Sequence, residues 1–131
     1  MFLCDQWRDY EVLDTGDGEK LERWGDIVLR RPDPQVIWPK ADPALWNAAQ
    51  ATYVRSDTGG GHWEFREKLP ERWVIGLNNL KFYVKPTGFK HTGLFPEQAA
   101  NWAFMQERIR CAGAWGYPPR VLNLFAYTGG A

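Results

Sequence analysis

The sequence is poor in cysteine and has no excess of charge of either sign. Its 131 residues include two cysteines, Cys4 and Cys111, which are too few for a disulfide framework. A reducing compartment is therefore predicted. Sixteen basic and sixteen acidic side chains cancel, so the overall charge favours neither a nucleic-acid nor a membrane partner. Any such affinity has to come from a local surface.

Segments that direct a protein into or across a membrane are also lacking. The first ten residues have no basic head followed by an apolar stretch, which argues against a signal peptide. No apolar run is long enough to cross a bilayer. We therefore expect a cytoplasmic protein without a membrane partner.

Two common nucleotide-binding motifs are absent. Gly129-Gly130 lacks the third spaced glycine of a dinucleotide-binding loop, and no glycine loop is followed by the Lys-Ser or Lys-Thr pair of a phosphate-binding loop. Gly59-Gly60-Gly61 is therefore interpreted as a flexible connection. The residues that could formally bind zinc are Cys4, His62, His91 and Cys111. No two of them have the close spacing of a structural zinc site, so no metal site is predicted.

What the sequence does have is a β-rich first part. Strands are predicted over residues 10–14, 20–24, 27–29, 62–66, 74–75 and 80–85, separated by turns at glycine and proline. In the last of these, Leu80, Phe82 and Val84 are expected on a buried face. Asp42-Pro43 predicts the start of a helix. Its inward residues are expected to be Leu45, Ala48, Ala49 and Thr52.

A longer helix is predicted from Pro96 to Ala112. Pro96 and Glu97 suit a helix start, and Gly113 suits a helix end. Spacings of three and four place a packing stripe along this helix, formed by Trp102, Met105, Ile109 and Ala112.

The last eleven residues predict a buried strand that enters a glycine loop. Val121 to Phe125 is nearly continuous in apolar residues, and Thr128-Gly129-Gly130 follows. In doubly wound folds a ligand lies at the carboxyl end of such a strand, beside the start of the next helix. No helix follows here, so we expect the front part of an enzyme whose sheet lies downstream of Ala131. The alternative is a terminal strand that completes a sheet formed upstream.

Two motifs carry a resemblance to a known family. They are Lys90-His91-Thr92-Gly93-Leu94-Phe95-Pro96-Glu97-Gln98 and Val121-Leu-Asn-Leu-Phe-Ala-Tyr-Thr-Gly-Gly130. Together they resemble the N-terminal part of a class I S-adenosylmethionine-dependent methyltransferase, and most closely the large-subunit ribosomal RNA methyltransferase family. The resemblance implies an α+β fold. A β-rich accessory domain would span residues 1–93, and residues 94–131 would supply the first helix and first strand of a truncated Rossmann-like domain.

The same resemblance implies a cofactor site for S-adenosyl-L-methionine. Its residues would be Thr92, Phe95, Gln98, Phe125, Ala126, Tyr127, Thr128, Gly129 and Gly130. Many relatives have Asp-Gln-Arg where this chain has Glu97-Gln98-Ala99, so a phosphate-binding role of that arginine does not transfer. The family's acidic ribose ligand and its catalytic loop are expected beyond Ala131. No catalytic residue is predicted, and the 131 residues alone are expected to be inactive.

A local basic and aromatic segment suggests an RNA partner, which the resemblance would make ribosomal. The predicted contacts are Lys81, Lys85, Lys90 and His91, interleaved with Phe82, Tyr83 and Phe89. Cations hold phosphates and aromatic rings stack on unpaired bases. The alternative is a solvated strand face. Two other functions stay open for the whole chain: a non-catalytic RNA-binding module, and a fragment of a nucleotide-dependent oxidoreductase.

Overall fold

The computed structural model describes residues 4–116, 118–124 and 126–130. Their contacts divide the chain into two compact units, Trp7–Gly93 and residues 4–6 together with those from Leu94 onward. The strands of the first unit are β1 (Tyr10–Gly16), β2 (Glu19–Trp24), β3 (Ile27–Pro32), β4 (Ala51–Arg55), β5 (Gly61–Phe65), β6 (Trp73–Leu77) and β7 (Leu80–Val84). The second unit contains the helix α1 (Ala99–Ala114).

The first three strands form the predicted antiparallel meander. Asp17 and Gly18 connect β1 to β2 with φ angles of 53° and 77°, the left-handed conformation that two-residue hairpin turns favour. Leu21 on β2 and Leu29 on β3 are fully buried, so this sheet contributes a large part of the core. Burial of two leucines is worth about 1.5–3 kcal/mol each.

The predicted helix after Asp42-Pro43 is wrong beyond its first turn. Asp42 Oδ1 accepts a hydrogen bond of 3.0 Å from the amide of Ala44, the residue before the helical turn. A 3₁₀ turn over Leu45–Ala48 follows, and Thr52 lies in strand β4 instead of on a helix. The β-branched and aromatic residues of β4 suit a strand. The strand forms because β4 pairs with β3 on one side and with β5 on the other.

Strand β4 extends the meander to a five-stranded sheet. It pairs in parallel with β3 and antiparallel with β5, giving the order β1-β2-β3-β4-β5. A parallel pair needs a long crossover, which residues 33–50 supply. Tyr53 is buried, and its ring meets that of Trp63 on β5 edge to face, with 5.5 Å between centroids.

Strands β6 and β7 form a separate antiparallel hairpin. Its turn begins at Asn78, whose φ of 53° is left-handed. The predicted alternation along β7 is confirmed for Val84, which is fully buried, and for Phe82, which is half-buried and lies 5.9 Å from the ring of Trp7. It is wrong for Leu80, which is exposed at the turn.

The predicted helix is confirmed, although it begins with a 3₁₀ turn over Pro96–Gln98 before α1. Its predicted end is wrong, because α1 continues through Gly113 to Ala114. Only part of the predicted packing stripe is covered. Trp102 is buried, whereas Met105 and Ile109 are 37% and 41% exposed. Among the described residues, no helix has the length and hydropathy needed to span a lipid bilayer.

The predicted buried strand after α1 is not formed. Residues 118–124 have no regular secondary structure, and Val121, Leu122 and Leu124 are between 63% and 80% exposed. A strand exists through its pairing, and in the described part of the chain no strand pairs with this segment. The prediction for Phe125 lies outside the described residues.

Candidate functional site

The second unit contains a cavity of about 460 Å³ between the start of its helix and the segment that follows the helix. The described residues that line it come from two stretches, 94–105 and 123–130. Six of the predicted cofactor residues are among them: Phe95, Gln98, Ala126, Tyr127, Thr128 and Gly130. The structure therefore brings together residues that are about thirty positions apart in the sequence.

The first wall of the cavity is fixed by the entry into α1. Phe95 has an extended backbone, and the amide of Gln98 donates to its carbonyl at 3.0 Å, which closes the 3₁₀ turn. Pro96 at the first helical position suits this geometry because it has no amide hydrogen to satisfy. The thiol of Cys4 donates to the Pro96 carbonyl at 3.0 Å.

Gln98 is oriented by a neighbour one helical turn away. Its Oε1 accepts a hydrogen bond of 2.8 Å from Nδ2 of Asn101, and both side chains line the cavity. With the oxygen engaged, the amide NH₂ of Gln98 is the group that this side chain offers as a donor. The sequence interpretation missed Asn101. The i,i+3 spacing from Gln98 on one helix face was the signal that could have found it.

The second wall is a tight turn built around glycine. The amide of Gly129 donates to the carbonyl of Ala126 at 2.8 Å, and Gly129 has a φ of 80°. Tyr127 also has a positive φ, 53°, which costs a non-glycine residue on the order of 1–2 kcal/mol. Backbone strain of this kind is concentrated at ligand-binding sites.

An aromatic pair joins the two walls. The rings of Phe95 and Tyr127 lie 5.0 Å apart between centroids with an interplanar angle of 44°. Asn123 is a further polar residue of the lining, which the sequence interpretation treated as part of a buried strand. The lining thus combines aromatic faces with neutral amide groups, and no charged side chain is among its described residues.

Thr92, another predicted cofactor residue, lies in the first unit and is fully buried. Its carbonyl accepts a hydrogen bond of 3.1 Å from the amide of Lys85, whereas its buried hydroxyl has no hydrogen-bond partner among the described residues.

The predicted RNA contacts fall into two groups. Lys81, on β7, and Lys85, directly after it, are exposed and lie four residues apart. Lys90 and His91 are half-buried in the loop that follows. The carbonyl of His91 accepts hydrogen bonds from the amide of Thr87 at 3.2 Å and from its hydroxyl at 2.8 Å. The loop is therefore tightly closed.

A buried ion pair anchors this loop to the five-stranded sheet. Glu22 and Arg31 form a bidentate pair with N···O distances of 2.6 and 2.8 Å, and both are almost entirely buried. Arg31 also donates to the carbonyl of Lys90 at 2.9 Å. Burial raises the pKa of Glu22, but the hydrogen bonds and charge of Arg31 outweigh it, so the pKa lies below its ordinary value. The hydroxyl of Tyr10 donates to the same carboxylate at 2.7 Å.

Comparison with solved structures gives a similarity over nearly the whole chain. No protein-family model and no curated protein matches the sequence. Among solved structures, the chain is similar to the crystal structure of the SAM-dependent methyltransferase from Agrobacterium tumefaciens, with a TM-score of 0.83 and 37% sequence identity. The similarity covers 95% of this chain and 39% of that one. The chain thus spans about two fifths of the length of the methyltransferase it resembles.

Proposed function

We propose that the chain is part of an S-adenosylmethionine-dependent methyltransferase, and that the cavity lined by residues 94–105 and 123–130 receives one end of the cofactor. The observation that carries the proposal is the 37% identity to a SAM-dependent methyltransferase over 95% of the chain. The position of six predicted cofactor residues around one cavity supports it independently.

The lining fits the chemistry of the cofactor. A volume of about 460 Å³ lies within the range of small-molecule sites. The methionine end of S-adenosylmethionine carries a carboxylate, an ammonium and a sulfonium. Neutral amides such as those of Gln98 and Asn101 can pair with the first two without adding a buried charge. The Phe95 and Tyr127 rings offer electron-rich faces to the sulfonium cation.

When bound, the cofactor would supply a methyl group on a positively charged sulfur; its transfer to a nucleophilic atom of the substrate would break the carbon–sulfur bond and leave the sulfur as a neutral thioether. The residues of this chain would act by binding and positioning. Gln98 and the turn at Ala126 to Gly129 would hold the amino-acid end, and the aromatic pair would exclude water beside the sulfonium. Correct placement of donor and acceptor is the main source of acceleration in a transfer of this type.

We further propose that the domain containing the cavity is Rossmann-like in the whole enzyme and that the substrate is ribosomal RNA. The exposed Lys81 and Lys85 and the composition of the motif Lys90 to Gln98 support this substrate. Because no acidic partner for a ribose is among the described residues of the lining, we expect that group and the catalytic residues elsewhere in the enzyme.

The proposal is tested by methyl transfer in the whole enzyme, with cofactor labelled in its methyl group and ribosomal RNA as acceptor. Gln98→Ala should raise KM for the cofactor about 10-fold or more, because it removes a hydrogen bond to a charged group. Glu107→Ala, on an exposed part of α1 outside the cavity lining, is the matched control and should leave KM unchanged. Unchanged KM in Gln98→Ala would contradict the assigned site, and absence of transfer to any RNA would contradict the substrate.

The 131-residue chain alone should show no turnover, and its cofactor affinity should be weaker than micromolar. The chain spans 39% of the length of the similar methyltransferase, so we expect further lining of the site to come from the rest of the enzyme. Such lining matters because small-molecule sites bury most of the ligand surface. Isothermal titration calorimetry measures this directly. A micromolar Kd for the chain alone would refute the expectation.

A further inference from the structure

The outer face of the β6–β7 hairpin combines three cations with one exposed aromatic ring. Along β7, Lys81, Tyr83 and Lys85 alternate with the inward Phe82 and Val84. Tyr83 is 66% exposed, and both lysines are exposed as well. Residues two apart on a strand are separated by about 6.6 Å, so the two lysine Cα atoms lie about 13 Å apart with the ring between them.

The third cation is positioned by the ring itself. The guanidinium of Arg72 lies 4.5 Å from the centroid of the Tyr83 ring. Among the described residues, none of the ion pairs includes Arg72, Lys81 or Lys85. Their charges are therefore not neutralised by a neighbouring carboxylate within ion-pair distance.

The opposite strand adds no carboxylate to this face. Tyr83 is paired with Val74, which is 45% exposed, and Lys81 is paired with Gly76, which has no side chain. Asp9 lies beside Gly76: its Oδ2 accepts a hydrogen bond of 2.8 Å from the Gly76 amide and would be 3.3 Å from a Cβ at that position. Residues 72–85 contain three cations and no acidic residue, so the hairpin itself is net positive.

From this arrangement we propose that the outer face of the β6–β7 hairpin binds single-stranded RNA, with one unpaired base stacked on Tyr83 and Arg72 and the backbone phosphates held by Lys81 and Lys85. The inference rests on the proposed function and gives its RNA substrate a residue-level contact surface. An exposed aromatic ring flanked by cations matches a base flanked by phosphates. A duplex would engage the lysines but would offer no base face to the ring.

The proposal is tested with the 131-residue chain and no cofactor. Fluorescence anisotropy measures its affinity for a labelled single-stranded RNA ten-mer between 50 and 300 mM salt, concentrations chosen because phosphate contacts are salt-sensitive. Tyr83→Ala should weaken binding about 5- to 100-fold, the effect of losing one stacked base. Tyr83→Phe keeps the ring and should bind as the parent chain does.

The lysines give a separate readout. Lys81→Ala with Lys85→Ala should reduce the slope of log affinity against log salt by about 1.4, because each phosphate contact contributes about 0.7 for a single strand. Arg110→Ala, an exposed cation on α1 in the other unit, is the matched control and should leave both affinity and slope unchanged. Circular dichroism verifies that each variant is folded.

The proposal would be overturned if the chain did not bind the ten-mer or bound the matching duplex equally well. It would also be overturned if Tyr83→Ala kept the affinity of the parent chain, or if Arg110→Ala lost as much RNA affinity as the lysine variant. If the lysine variant lost affinity for anionic phosphatidylserine vesicles but not for RNA, the face would bind a lipid surface instead. Because no cofactor is present, a failure of RNA binding is separable from a failure of methyl transfer.

Discussion

Removal of Arg31 should destabilise the first unit strongly. Its guanidinium makes two hydrogen bonds to Glu22, at 2.6 and 2.8 Å, and a third, of 2.9 Å, to the carbonyl of Lys90. Glu22 is fully buried and Arg31 is 5% exposed, so Arg31→Met would leave a buried carboxylate whose remaining partners are the Tyr10 hydroxyl at 2.7 Å and Lys20 Nζ at 3.5 Å. Breaking a buried pair in this way costs about 3–5 kcal/mol. A domain of this size has only about 5–15 kcal/mol of stability in total.

The measurement is urea unfolding followed by tryptophan fluorescence and by circular dichroism. With a slope of about 2 kcal/mol/M, a loss of about 4 kcal/mol lowers the midpoint by about 2 M. The matched control is the double variant Glu22→Met with Arg31→Met, in which neither charge remains. It should be clearly more stable than Arg31→Met alone, although Tyr10 then loses its acceptor at a cost of about 1 kcal/mol.

The pH dependence provides a second check on the same pair. The pKa of Glu22 is lower in the folded state than its ordinary value of 4.5, chiefly because Arg31 outweighs the effect of burial. Its stabilising contribution is therefore fully present above about pH 4.5 and is lost as the pH falls through the folded pKa. Arg31→Met removes the strongest influence that lowers this pKa, while burial and the weaker effects of Lys20 and Tyr10 remain. The pKa should therefore rise, and the stability difference between parent and variant should narrow from pH 7 to pH 3.

Hydrogen exchange in the loop that follows β7 provides a third check on the same pair. The amides of Lys85 and Thr87 donate to the carbonyls of Thr92 and His91, and these bonds close the loop that Arg31 holds through Lys90. Hydrogen exchange at both amides should be faster in Arg31→Met. A destabilisation below 1 kcal/mol, or a difference that is independent of pH, would refute the reasoning.

Three glycine substitutions should differ in sign: Gly16→Ala destabilises, Gly88→Ala is a neutral control, and Gly113→Ala stabilises. Gly16→Ala should cost about 1–3 kcal/mol of stability, because the added Cβ would overlap the backbone of Lys40. In Gly88→Ala the added Cβ meets no atom within 4 Å, so stability should change by less than about 0.5 kcal/mol. Thermal unfolding of both variants measures the difference, and equal midpoints would contradict the packing at Gly16. Gly113 lies inside α1 with open space around it, so Gly113→Ala should stabilise the helix by about 0.5–1 kcal/mol. Circular dichroism should show greater helical ellipticity on heating, and a lower melting temperature would contradict this prediction.

Local patterns in the sequence determined much of this protein. Alternation of apolar and polar residues specified the strands of the meander and the buried position of Val84, since the period of a strand is a property of neighbouring residues. Pro96 and Glu97 likewise specified where the helical segment begins, with the 3₁₀ turn that precedes α1. The turn at Gly129 was marked by its own glycine, because few other residues adopt a positive φ at low cost.

The tertiary structure alone decided the rest, because those features depend on residues that are distant in the sequence. Thr52 lies in a strand because β3 and β5 pair with β4 from both sides, and the pattern around Ala48 gave no sign of those partners. Asn101 and Asn123 meet around one cavity only after the chain returns past α1. The register of the β6–β7 hairpin brings Arg72 to the ring of Tyr83. The outer face of the hairpin can therefore be recognised only when the pairing of both strands is known. The spacing of side chains along one element depends only on neighbouring residues. Which elements pair with one another depends on burial and hydrogen bonding over the whole unit.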